Sequence, residues 1–158
     1  MKLKPWQVKL MLNAFPALFF QRIRVRRVSA DFREMDVVIK LGIFNRNLQG
    51  SVFGGTLFSS ADPFFAIMYW QLFAHKEIKC EAWLRAAEAD FIKPASTSCT
   101  VKFRISQEDV DEAFTSIAES GRFKKWHVVE ALDKNDIVCA RFKTLVYLRK
   151  AKAGLAGI

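Results

Sequence analysis

Apolar and polar positions alternate along most of this chain, with a period that switches between two and about 3.6. From Arg22 to Val28, Ile23 and Val25 oppose Arg22, Arg24 and Arg26, which predicts a half-buried strand with a basic outer face. From Phe32 to Leu41, Met35, Val37, Ile39 and Leu41 share one face, and Glu34, Asp36 and Lys40 share the other. Trp83 to Ile92 reads as a strand stopped by Lys93-Pro94. Cys99, Val101, Phe103 and Ile105 then alternate with Thr100, Lys102 and Arg104. Phe123 to Leu132 and Ile137 to Arg149 flank Asp133-Lys134-Asn135-Asp136, a hairpin signal.

Helical spacing appears in three places. Trp6, Leu10 and Met11 with Asn13 and Ala14 predict an amphipathic N-terminal helix within residues 5–20, ended or kinked near Phe15 by Pro16. Thr56 to Phe73 is apolar on nearly every side, so it should form the buried centre of the domain. Asp62-Pro63 interrupts it. Either Pro63 kinks a helix that begins near Thr56, or Asp62 caps one that begins there. A third helix should start at the N-cap Ser106, carry Val110, Phe114, Ile117 and Ala118 at helical spacing, and stop at Gly121.

Gly42 to Gly55 reads as a loop and residues 150–158 as a frayed tail. The order is helix, two strands, long buried helix, then four strands with a small helix inserted. One helix can bury a whole sheet only if the sheet curls around it. A single α+β domain follows, its core spanning about 21–149.

Composition agrees with one domain. The 158 residues are 51% hydrophobic, with 15 phenylalanines and 4 tryptophans, enough for one large core. A net charge of +9 favours anionic partners. No helix-turn-helix or zinc-finger spacing supports nucleic acid, which is set aside. Cys80, Cys99 and Cys139 lack a C-x-x-C or a nearby histidine pair, so no metal or cofactor is expected. Their odd number, with no signal-peptide pattern, points to a reducing cytoplasm. Leu10 to Phe20 is about half a membrane span. The N-terminal helix followed by Arg22, Arg24, Arg26 and Arg27 could rest on an anionic membrane surface. Covering the domain or a dimer edge is the preferred reading. His75 and His127 have no ligand spacing, and Ser59 and Ser60 no neighbouring histidine.

Residues 47–62 read N-L-Q-G-S-V-F-G-G-T-L-F-S-S-A-D. This stretch resembles the loop and helix start of hot-dog acyl-CoA thioesterases of the phenylacetate-degradation type. Those carry an Asn, then His-Gly-Gly, then an Asp or Glu nine residues after the His. Asn47, Gly54, Gly55 and Asp62 match that spacing, and Phe53 stands at the His position. Asp90-Phe91-Ile92-Lys93-Pro94-Ala95 and Asp136-Ile137-Val138-Cys139-Ala140-Arg141 look like a strand end and the final hairpin of the same family. The likeness spans roughly residues 20–149.

It implies a hot-dog fold: a long central helix wrapped by a curved antiparallel sheet, assembled as a homodimer or dimer of dimers. It also implies a pocket between subunits that takes an acyl thioester, with coenzyme A as part of the substrate. Thioester hydrolysis needs fixed donors for the developing oxyanion and a water or carboxylate to attack the carbonyl. Gly54 and Gly55 could supply the donors, or only make a sharp turn. Asp62 could act as base or nucleophile, or cap a helix. Asn47 could hold the substrate carbonyl, or its own loop. Phe53 can only pack. Lys93, Arg104, Arg122, Lys124 and Lys125 are candidates for attracting coenzyme A phosphates. Non-catalytic binding of an acyl group is the alternative expectation.

Overall fold

The computed structural model describes residues 1–151; of the expected tail 150–158, Lys150 ends the last strand and residues 152–158 lie outside the described residues. The elements are α1 (Pro5–Ala14), α2 (Pro16–Phe20), β1 (Ile23–Val28), β2 (Glu34–Ile39), α3 (Gly54–Ser59), α4 (Phe64–His75), β3 (Cys80–Phe91), β4 (Cys99–Arg104), α5 (Gln107–Ser120), β5 (Arg122–Leu132) and β6 (Val138–Lys150). The strands form one antiparallel sheet in the order β1-β2-β4-β5-β6-β3.

The sheet curls around α4, as the all-round apolar sequence requires. Phe64, Phe65, Met68, Tyr69 and Phe73 are buried on that helix. They meet the inward positions of the strands: Phe64 and Phe65 lie 4.9 and 5.0 Å from the Phe103 ring, and Tyr69 lies 5.4 Å from Phe123. Burying an aromatic side chain of this size contributes roughly 2–3 kcal/mol, so this helix is a large contributor to core stability.

The expected central helix is two helices in series. Pro63 has no N–H to donate to the Ser59 carbonyl, so the α-helical ladder stops. Asp62 N donates to that carbonyl at 3.3 Å, the chain turns, and α4 starts one residue after Pro63. Asp62 makes no side-chain cap. The helical segment also begins two residues earlier than Thr56, at Gly54. The N-terminal helix breaks at Phe15, where Pro16 opens α2. β3 begins at Cys80, three residues before Trp83.

Other local signals hold. Ser106 and Asp109 form a reciprocal capping box on α5, and Gly121 ends it at φ 70°. Lys125 on β5 fastens that helix through ion pairs to Asp109, at 2.7 Å, and Glu112. At the last hairpin, Asp133 Oδ1 accepts from the amides of Asn135 and Ile137.

The two sheet edges differ. On β1, Asn13 of α1 accepts from Val25 N at 2.8 Å and donates to Val25 O at 3.0 Å. Its amide copies a strand and closes that edge. The other edge, twelve-residue β3, has β6 on one side and no neighbouring strand on the other among the described residues. Long open edges are normally covered by a partner.

Candidate functional site

Two clefts flank the α3–α4 segment. The first, about 450 Å³, is lined by Asn47, Ser51, Gly54, Leu57, Phe91 and Lys93, among others. The second, about 490 Å³, lies between α1–α2 and α3–α4 and is lined by Met11, Leu12, Phe15, Leu18, Phe58, Asp62 and Ile67, among others. The structure brings Gly54 and Asn47 to the first and Asp62 to the second.

The glycine turn is built by a residue that sequence reasoning passed over. Asn45 is 2% exposed. Its Nδ2 donates to the carbonyls of Gln21, at 2.8 Å, and Lys40, at 3.1 Å, and its Oδ1 accepts from Gly42 N at 2.9 Å. Its own carbonyl accepts from Phe53 N at 2.7 Å. Asn45 therefore ties the ends of β1 and β2 to the start of α3. A Gly-x-x-Asn step at residues 42–45 was the available signal.

Asn47 holds its own loop. Its Oδ1 accepts from the amides of Gln49 and Ser51, and its Nδ2 donates to Ser51 Oγ at 2.8 Å. Phe53 is the N-cap of α3, with φ −59° and ψ 133°. Its carbonyl accepts from Thr56 and Leu57. Among the described residues the Gly54 and Gly55 amides have no acceptor, as expected for the first positions of a helix. The two are not equivalent. The Phe53 ring sits against Gly55, where a Cβ would lie 2.5 Å from the ring. Gly54 faces Phe91, with room for a Cβ at 3.6 Å, and lines the first cleft.

Asp62 lies at the other end of the broken helix. Among the described residues its carboxylate has no hydrogen bond and no ion pair. Phe58, Pro63 and Ile67 border it. This apolar surround, withdrawing it from water, raises its pKa above the ordinary carboxylate value. A poised, unpaired carboxylate on the wall of an apolar cleft can take a proton from water or attack a carbonyl. Gly54 opens α3 and lines the first cleft, whereas Asp62 lies past the end of α3 and lines the second. One chain therefore does not place both on a single carbonyl.

The remaining candidates separate cleanly. Lys93 lines the Gly54 cleft. Arg104 is held by Asp36 at 2.6 Å, and Lys125 by α5. Lys124 lies over the Tyr147 ring, and Arg122 is exposed at the far end of β5. His75 bonds the Leu3 carbonyl through Nε2 at 2.8 Å. His127 is buried against Phe65 and meets the Tyr69 hydroxyl at 3.1 Å. The three cysteines are free and buried, and burial pushes Cys80 up to about 11 and Cys99 up to about 12.

Known structures share the architecture. A Pseudomonas aeruginosa protein of unknown function, described as a "Probable Thioesterase", superposes with a TM-score of 0.79 at 19% identity, covering 96% of this chain and 99% of that one. A thioesterase from Haemophilus influenzae gives 0.69 at 8% identity, covering 98% and 96%. The E. coli PaaI protein of the phenylacetic acid degradation operon gives 0.64 at 17% identity, covering 93% of each. At such identities the likeness establishes the fold, which is the hot-dog fold. No curated protein matches the sequence significantly. Residues 6–148, nearly the whole chain, match the family model described as a domain of unknown function (DUF4442), and the chain belongs to that family.

Proposed function

We propose that this chain is an acyl-thioester hydrolase that works as a homodimer, each site drawing residues from both copies. The carrying observation is Asp62, a carboxylate with no partner among the described residues, on the wall of an apolar cleft. The thioesterases among the structural neighbours support the same reaction class.

The open edge of β3 supports the assembly. Phe91 at the end of β3 lines the first cleft with Gly54, and Asp62 shares a small gap with Leu84 near its middle. Antiparallel pairing of β3 with a second copy, centred near Ala87 and Glu88, sets Phe91 of one copy across from Leu84 of the other. Gly54 of one chain then approaches Asp62 of its neighbour. The Gly54 amide meets the thioester oxygen, and Asp62 activates water or attacks the carbonyl carbon. The acyl chain lies in the cleft lined by Met11, Leu12, Phe15, Phe58 and Ile67. Lys93, at the Gly54 side, meets coenzyme A phosphates.

Release of free thiol from a panel of short- to long-chain acyl-CoA substrates tests the reaction. Multiple turnovers on at least one member are expected, and their absence across the panel refutes it. Phe53 favours a second reading. It is 57% exposed and cannot move a proton where the enzymes have His. The same clefts would then bind an acyl group without cleaving it. Co-purified lipid with no thiol release would support that reading.

A further inference from the structure

The charge of this chain is concentrated at one end. Residues 1–30 contain seven Lys or Arg and no Asp or Glu, leaving the other 128 positions with a net of only +2. The same segment carries seven of the eighteen exposed large hydrophobic residues among those described. α1 buries Val8 and Leu12 against the domain, yet Trp6 is 60% and Leu10 is 62% exposed on its opposite side. α2 buries only Leu18 and leaves Phe19 and Phe20 outside, Phe20 at 67%.

This exposure is a property of a docked element. Gln71, fully buried on α4, accepts from Leu3 N at 2.9 Å and donates to Met1 O at 3.3 Å. His75 holds the Leu3 carbonyl, and Asn13 is paired with Val25 on β1. The hairpin is fastened at both ends of α1, so Trp6 and Leu10 are displayed on a fixed surface.

The cations accompany the aromatics. Arg24 lies over the Phe19 ring at 4.3 Å and donates to the Phe19 carbonyl. Arg27 is engaged by Glu34 and Asp36. Among the described residues, Lys2, Lys4, Lys9, Arg22, Arg24 and Arg26 have no carboxylate partner.

We propose that the α1–α2 hairpin docks this protein on an anionic lipid bilayer surface. Aromatic and aliphatic side chains beside unpaired cations are what an interfacial helix needs: the first enter the headgroup–acyl boundary, the second meet lipid phosphates. A second copy fits worse. A two-fold contact through this face would set like charges against each other with no acidic residue to offset them. At ten and five residues the helices lie in the surface, and no described helix is long and apolar enough to cross. The second cleft opens beside this face, since Met11 and Phe15 line its rim. Docking stands whether or not the protein cleaves thioesters.

Flotation of the full chain with phosphatidylcholine vesicles, against vesicles containing about 30% phosphatidylglycerol, tests it. Binding to the anionic vesicles only, weakened by salt, is expected. Trp6→Glu/Phe20→Glu and Arg24→Glu/Arg26→Glu should each weaken it at least about tenfold, given roughly fivefold in partitioning per surface cation. Trp6, Phe20 and Arg26 are exposed and Arg24 is half-buried, so an unchanged Tm is required of each pair as the control for folding. No flotation, or equal flotation of wild type and both variants, overturns the proposal. So does self-association in sedimentation that Trp6→Glu/Phe20→Glu abolishes without any vesicle binding. DNA binding that the arginine pair abolishes, with no vesicle binding, overturns it in favour of nucleic acid.

Discussion

The Phe53 ring lies over Gly55, so close that a Cβ on Gly55 would sit 2.5 Å from the ring's Cε1. Phe53 thus covers the second glycine of the turn and leaves the first, Gly54, facing the cleft. The ring is exposed and can swing aside. Gly55→Ala should therefore fold with a net stability change within about 1 kcal/mol, because helix propensity offsets the crowding. In a Phe53→Ala background the crowding is gone, and the same change should stabilise by about 0.5–1 kcal/mol. Denaturant titration of the four chains measures this coupling; strict additivity would show that the ring and Gly55 do not touch.

Among the described residues the Asp62 side chain holds nothing in place. Asp62→Asn should leave Tm unchanged or slightly raised, since it relieves an unpaired, partly desolvated charge. Turnover should fall by about 10²–10⁴. A base must be ionised to act, and burial raises this one. The acid limb of kcat/KM should thus lie above the ordinary carboxylate range and vanish from the variant's residual activity. Wild-type rates in Asp62→Asn would remove the residue from the mechanism.

Buried His127 is held neutral, with its pKa pushed down to about 4 chiefly by desolvation. The unfolded chain binds a proton there below about 6.5 while the folded chain does not. Its contribution is complete above that pH and is lost as pH falls toward 4, on the order of 3 kcal/mol in all. Urea midpoints between pH 7 and 4 should therefore decline, and His127→Phe should flatten that part of the slope. An equally steep decline in the variant would place the acid sensitivity elsewhere.

Of the five basic residues suggested by the sequence, Lys93 is the one on the Gly54 cleft. Lys93→Glu should raise KM for acyl-CoA about five- to tenfold with kcat little changed, and the difference should shrink as salt rises. Initial-rate measurements at two ionic strengths decide it. A loss confined to kcat would contradict a phosphate-binding role.

Strand periods and the apolar α4 were legible because each reports the burial of its own residues: Met35, Val37 and Ile39 face inward as their alternation predicts. The break at Pro63 was legible as an alternative, since a proline's missing N–H acts locally. What the sequence left open depends on distant atoms. Asn45 looks like any loop asparagine until the carbonyls of Gln21 and Lys40 reach it. Asn13 closes the β1 edge only because the fold sets α1 beside Val25. The motif placed Gly54 and Asp62 at the right spacing in sequence. It did not show that they line different clefts, because that follows from a broken helix and an open strand edge.

The central claim is that Gly54 and Asp62 serve one carbonyl from two chains. Phe53 already has the extended backbone that precedes proline, and Gly54 is the first residue of α3 with an unpaired amide. Gly54→Pro therefore removes that donor and little else, and should lower kcat by about 10²–10³. Gly54→Pro and Asp62→Asn should each keep only residual activity alone. Mixed dimers of the two variants should recover about half the wild-type acyl-CoA hydrolysis, because one of their two sites keeps both groups. Mixed dimers as inactive as their folded parents would contradict a site shared between copies.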